Sequence, residues 1–205
     1  SNKVKGAPIL VTKANLEASG KKSKAVIVNS KNANTCNADG VEKAQKMCQL
    51  TAEALGAKGI EIKEEEVIVA STGVIGQILP IEPIANHMQT LVAGLSYEGN
   101  QKAANAIMTT DTVMKEYAVT FEVDGKTCTL GGMAKGSGMI HPNMATTLNF
   151  VTTDVAIDAD LLQKALSEIV KITYNCLSVD GDTSTNDMLT VMANGLAGND
   201  KIVEE

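Results

Sequence analysis

The 205-residue chain contains no arginine and no tryptophan, and only 2% of its residues are aromatic. Bidentate recognition of bases and phosphates leans on the planar guanidinium. Its absence, together with a net charge of −6, argues against a nucleic-acid partner. With so few aromatics the core falls to Val, Ile, Leu, Ala and Met. At 44% apolar residues, such a core can form in one domain or two small ones. No apolar run is long enough to span a bilayer, and no basic, apolar leader opens the chain, so no membrane partner is expected. The opening Ser1-Asn2, without Met, fits a tag remnant or an internal start. The four cysteines, Cys36, Cys48, Cys128 and Cys176, form no CxxC pair. They read as buried, small apolar residues in a reducing cytosol. Two histidines, His87 and His141, are too few for a His-rich metal site, and no metal is expected. Neither a GxGxxG nor a GK[ST] element is present.

What is present is a mixture of apolar runs and turn signals. Residues 8–12 (PILVT) and 24–30 (KAVIVNS) read as buried strands. A turn-rich stretch, SKNANTCNADG, precedes a helix with apolar residues at Val41, Ala44, Met47, Cys48, Ala54 and Leu55, closed by Gly56 or Gly59. EVIVAST (66–72) reads as a strand, PIEPIANHMQTLVAGL (80–95) as an amphipathic helix and residues 100–109 as a short helix. His87 and Met88 fall on or near the apolar stripe of the 80–95 helix, where packing explains them more simply than ligation. Asp124-Gly125 between two alternating runs is a strong hairpin signal. A strand in TTLNFVTTDVAI, a helix over 158–177 with Asp158 as N-cap, and a final strand over 187–194 complete the reading. Helices between groups of strands, with an antiparallel hairpin, imply an α+β layered sandwich.

Several stretches carry hydroxyls where chemistry could use them. In NMATT, a strained peptide bond before Thr can rearrange: the hydroxyl attacks the preceding carbonyl, the acyl group moves from N to O, and water opens the ester. The product begins with Thr, whose α-amine (pKa about 7.7–8.0) can serve as its own base. Glycines upstream and Pro142 suit a tight entry to such a bond, although the same residues fit a loop running into a strand. In ASTGVIG (70–76) the strand end at Ser71-Thr72-Gly73 can form an oxyanion hole or an ordinary loop. MTTDTVMK (108–115) and DGDTSTND (180–187) are dense in hydroxyls and carboxylates. The second suggests a calcium loop, but the Glu and helix of an EF-hand are missing, and both read as hydrogen-bonded turns.

In order, VNSKNANTCNADG, ASTGVIG, IMTTDTVMK, AKGSGMIHPNMATTLNF and VDGDTSTNDM resemble the ornithine acetyltransferases, also called the bifunctional glutamate N-acetyltransferase family of arginine biosynthesis. The opening NKVKGAPILVTKANL fits as well, and the resemblance covers nearly the whole chain. It implies an αββα-type sandwich of the DmpA/ornithine acetyltransferase fold, with the logic of an N-terminal-nucleophile hydrolase. It implies self-cleavage between Ala145 and Thr146, with Thr146 as nucleophile and Thr147 as bystander. Thr72 and Gly73 match the oxyanion residues, and Thr112 and Lys135 match substrate-binding residues. The reaction implied is ping-pong transfer of an acetyl group from N2-acetylornithine to glutamate. No cofactor is required, although some members also use acetyl-CoA. The resemblance further implies a cytoplasmic assembly of two alpha and two beta chains. A related amidase or aminopeptidase using the same Thr, or an inactive truncated fragment, are the competing readings. Family members are about twice this length, so residues 1–205 read as a fragment of the catalytic domain, lacking the family's N-terminal segment and C-terminal domain. The family's substrate-binding Glu, in a DGEGATK-like motif, has no match here, and Glu204 and Glu205 are not its substitutes. Lys31, in NSKNAN, stands where the family usually has Gly.

Overall fold

The computed structural model describes residues 3–141 and 147–204. The chain divides into two compact units, Asn2–Thr109 and Thr110–Glu205, each with its own sheet.

The first unit runs α1 (Ala7–Ala18), β1 (Ala25–Asn32), α2 (Gly40–Gly56), a short 3-10 turn, β2 (Val67–Val74), α3 (Glu82–Ala93) and α4 (Asn100–Ala106). β1 and β2 pair in parallel from Ala25–Val67 to Asn32–Val74. Parallel neighbours need a crossover, and α2 supplies it. Val11, Met47, Cys48, Val67, Val69, Leu79 and Met88 are among the buried residues that join α1, α2, β1, β2 and α3 in one apolar cluster.

Residues 8–12 are helical, contrary to the strand expected from PILVT. A five-residue apolar run does not distinguish a strand from a buried turn of helix. The buried positions, Ala7, Pro8, Val11 and Thr12, follow helical spacing, and Leu10 points outward at 48% exposure. Proline in the first turn suits the helix start. Tertiary bonds add to this. The Thr12 hydroxyl donates to the Val69 carbonyl (2.8 Å) and accepts from the Val69 N–H (2.9 Å). Asn15 Nδ2 donates to the Val67 carbonyl at 2.9 Å. Side chains of α1 thereby occupy backbone groups on the edge of β2 that faces away from β1.

The second unit runs β3 (Lys115–Val123), β4 (Lys126–Lys135), β5 (Leu148–Thr153), α5 (Ala159–Ile172), a 3-10 turn at Tyr174–Cys176 and β6 (Met188–Ala193), with strand order β3-β4-β5-β6. The hairpin turns at Asp124-Gly125 as expected. Both residues have positive φ, 50° and 70°, and Val123 pairs with Lys126, a two-residue loop whose twist matches the strands. β4 and β5 are antiparallel, and β5 and β6 are parallel across α5. Asp158 caps α5, accepting from the Asp160 N–H at 2.9 Å, and this bond, with help from Lys201, holds its carboxyl below the usual range. The helix expected to reach residue 177 ends at Ile172, where Thr173 leaves helical geometry (φ −125°, ψ −96°).

The α+β class is as expected. The cysteines divide, against expectation: Cys48 and Cys128 are buried, whereas Cys36 and Cys176 are exposed. Burial pushes the Cys48 thiol up to about 11, which keeps it inert at neutral pH. Met88 packs in the core, while His87 is exposed, its ring N–H donating to the Pro83 carbonyl (2.8 Å). No helix among the described residues is long and apolar enough to cross a membrane.

Candidate active site

In the first unit, Thr72 and Gly73 lie near the end of β2, paired with Ser30 and Lys31 of β1. Thr72 is buried. Gly73 has φ +132°, and any Cβ there would overlap the Lys31 carbonyl. Only glycine fits both the conformation and the space. Lys31 itself sits at φ +83°, a conformation that glycine adopts without strain. The asparagine-rich stretch after β1 fixes this strand end. Asn34 Nδ2 donates to the Gly40 carbonyl (2.8 Å), while the Asn34 backbone N–H donates to Asn32 Oδ1 (2.8 Å). Asn32 Nδ2 donates to the carbonyls of Gln77 and Ile78. Backbone bonds from Ala33 to Val74 and from Gly76 to Thr35 tie the two loops together. A shallow pocket lined by Ile27, Val28, Met47, Ile84, Met88 and Leu91 contains none of the expected site residues.

In the second unit, Lys135 ends β4, 3% exposed. Burial pushes its ammonium below the usual lysine range, while the carboxylates of Asp111 and Asp187 oppose that shift and Lys115 reinforces it. The structure brings the TTDT segment to this lysine. Asp111 Oδ1 accepts from the Gly136 N–H (2.8 Å) and from Lys115 Nζ (2.7 Å), and Thr110 Oγ1 shares a 2.6 Å hydrogen bond with Ser137 Oγ. Thr112 is exposed, one residue beyond Asp111. A buried cation with carboxylates beside it is the arrangement that keeps a lysine charged in a low-dielectric site. It can then meet an anionic group as a point charge.

Beyond Lys135 the chain passes through Gly136–Ile140, and Ala145 and Thr146 lie outside the described residues. Thr147 rejoins the sheet with its N–H donating to Asp187 Oδ1 (3.0 Å) and its carbonyl accepting from the Met188 N–H (3.0 Å). Thr72 and Gly73 belong to one unit, and Thr112 and Lys135 to the other.

Three aspartates escaped the reading of the sequence: Asp111, Asp180 and Asp187. The two loops that carry them stood out for their carboxylates but read only as turns. Asp180 takes amide protons: Met139 N–H on one oxygen, and Ile140 (2.9 Å) and Asp182 (3.3 Å) on the other. These bonds, Met139's first, hold its carboxyl below the usual range. Asn149, three residues past Thr146, was also missed. It is 1% exposed, and neither of its side-chain amide atoms has a hydrogen-bond partner among the described residues. A buried polar group left so costs roughly 1–3 kcal/mol.

The ArgJ family model matches residues 1–205. An arginine biosynthesis bifunctional protein ArgJ from Symbiobacterium thermophilum is 51% identical over 204 residues, 99% of this chain and 49% of that protein. One from Halalkalibacterium halodurans is 50% identical over 205 residues, 100% of this chain and 48% of that protein. The chain thus spans about half the length of the curated relatives it matches. Among solved structures, an arginine biosynthesis bifunctional protein from Bacillus halodurans superposes with a TM-score of 0.61 at 44% identity, over 70% of this chain and 73% of that one. An ornithine acetyltransferase from Mycobacterium tuberculosis, complexed with ornithine, gives 0.58 at 34% identity, over 69% and 72%.

Proposed function

The chain belongs to the ArgJ family, and on that premise we propose that it is the nucleophile-bearing part of an acetyltransferase that moves an acetyl group from N2-acetylornithine to glutamate in arginine biosynthesis. The observation that carries this reading is the buried Lys135, held beside Asp111 and Asp187 on the AKGSGMIHPNMATT stretch. A cation costs free energy to bury, and an anionic substrate group arriving beside it offsets that cost. Ornithine and glutamate both carry an α-carboxylate.

The chemistry runs in two halves. Cleavage between Ala145 and Thr146 frees the Thr146 α-amine, which takes the proton from the Thr146 hydroxyl as the oxygen attacks the acetyl carbonyl. The C–N bond breaks, ornithine leaves with the proton on its amine, and the acetyl group stays on Thr146 as an ester. The α-amine of glutamate then attacks the ester, and N-acetylglutamate departs. The oxyanion forms twice. Donors from Thr72 and Gly73 stabilise it, each good donor contributing about 3–4 kcal/mol. Thr112 and Lys135 hold the amino-acid portion. The transfer needs no cofactor, with acetyl-CoA an additional donor for glutamate. The cleaved protein works in the cytoplasm as two alpha and two beta chains.

Chain lengths support cleavage near the middle. The matched solved chains are close to this one in length, since the match takes 70% of one and 73% of the other. The curated relatives are about twice as long, at 49% coverage.

The test uses the full-length protein. A denaturing gel with N-terminal sequencing should give a fragment beginning TTLNFV, and Thr146→Ala should abolish both cleavage and turnover. N-acetylornithine with labelled glutamate should yield labelled N-acetylglutamate. Hydrolysis without transfer would replace the transferase with an amidase. Normal processing of Thr146→Ala would overturn the nucleophile.

A further inference from the structure

The segment that leads into β3 is fastened to the end of β4 on either side of Lys135. Before it, Ala134 pairs with Lys115 across the two strands. After it, the Gly136 N–H donates to Asp111 Oδ1 (2.8 Å), and Ser137 Oγ shares its 2.6 Å hydrogen bond with Thr110 Oγ1. The same Asp111 oxygen accepts from Lys115 Nζ at 2.7 Å. The three charged groups differ in their access to water. Lys135 and the Asp111 side chain are buried, whereas the Lys115 side chain is 45% exposed. Among the described residues, the charges that act on Lys135 are those of Asp111 and Lys115, from the β3 side, and of Asp187, from the segment before β6. β5 brings the uncharged Leu148 beside it. Asp111 therefore serves two cations, one at the surface and one buried.

We propose that Asp111 is a positioning residue for Lys135, fixing its spacing from Thr112 and keeping it charged, and that Lys115 weakens this hold by drawing on the same carboxylate oxygen. The proposal rests on the reading of Thr112 and Lys135 as substrate-binding residues. Asp111 directly precedes Thr112, and its bond to Gly136 reaches the residue that directly follows Lys135. One buried carboxylate thereby sets the distance between the two candidates. Its charge has a second effect. Burial disfavours the ammonium form of a lysine, and a nearby carboxylate restores it. A lysine that had lost its proton would meet a substrate carboxylate as a neutral amine, without the point charge. Lys115 acts the other way, both as a like charge near Lys135 and as a competitor for Asp111.

The experiment is the pH dependence of kcat/KM in the full-length protein, with N-acetylornithine and labelled glutamate. Such a profile reports groups of the free enzyme, and substrate groups titrate alike for every variant. Activity that needs a charged Lys135 falls as pH rises through the value at which that ammonium deprotonates. Asp111→Asn keeps a side-chain oxygen for the Gly136 N–H but removes the negative charge. Its basic limb should therefore begin about one pH unit or more below that of wild type, with the loss falling on KM rather than kcat. Lys115→Met removes a like charge, and its limb should move to higher pH. Opposite shifts from two neighbouring substitutions are not what a general loss of stability gives. A role confined to bracing Gly136 would leave the limb in place. A limb that stays in place in either variant overturns the proposal while leaving acetyl transfer intact. Should Asp111→Asn fail to fold, Lys115→Met decides: a limb moved to higher pH supports the proposal, and an unmoved or lowered limb overturns it. A wild-type protein that transfers no acetyl group would remove the substrate reading, and this role of Asp111 with it.

Discussion

The two units hold themselves in different ways. The first buries a cluster of apolar side chains drawn from three helices and two strands, with Met47, Ala44 and Val69 wholly shut off from solvent. In the second, no residue of α5 is fully buried, and Ile169 and Ile172 of that helix are 54% and 77% exposed. Buried apolar residues of this unit, among them Cys128, Leu148, Phe150 and Met188, lie on the strands, and carboxylates and amides aimed at backbone groups add to its order. Asp154 accepts from Thr129 N–H, Asp111 from Gly136, Asp180 from Met139 and Ile140, and Asp187 from Thr147. Asn199 both accepts from and donates to Ala156. Apolar burial is strong but undirected. Hydrogen bonds to single amides contribute little net stability but fix a loop to within tenths of an ångström. The unit that carries the buried Lys135 adds the directed kind.

The comparison breaks most readily at the cores. Met47→Ala should lower unfolding free energy by about 2–5 kcal/mol, whereas Leu166→Ala, half-buried on α5, should cost under about 1 kcal/mol. Urea denaturation of the two variants measures this, and equal losses would mean that α5 is packed as firmly as α2. A smaller effect of opposite sign is expected at Lys31. Lys31→Gly should raise stability by about 1 kcal/mol, because the φ +83° conformation strains lysine and not glycine, less the added freedom of the unfolded chain. A fall in melting temperature would show that the strain is absent. The smallest signal is a titration. The lowered pKa of Asp180 means that its contribution is present above its ordinary value, about 3.9, and is lost as pH falls through the lower folded value. The Met139 and Ile140 amide protons, followed by NMR, should shift with a midpoint below 3.9. A midpoint at or above it would detach Asp180 from them.

Much of the frame was legible in the chain itself. β2, α2, α3, the Asp124-Gly125 hairpin and the Asp158 cap all rest on local periodicity or local turn chemistry, and each lies where the sequence puts it. α1 was not legible, because the bonds that favour it run from Thr12 to Val69, 57 residues away. The same distance hid the aspartates. Asp180 and Asp187 meet their partners 40 residues upstream, so locally each looks like a turn residue. The TTDT segment stood out for its hydroxyls and carboxylates, whereas Lys135 drew attention through family resemblance alone. Their bond through Asp111 and Gly136 is what folding adds.

The grip of α1 on β2 has a bearing on assembly. Thr12 and Asn15 occupy the outward Val67 and Val69 backbone groups that an incoming peptide would need for strand addition. Exposed strand edges are templates for aggregation, and proteins commonly cover them. Any widening of this small parallel sheet, whether by a neighbouring segment or by a misplaced chain, is therefore directed to the side of β1.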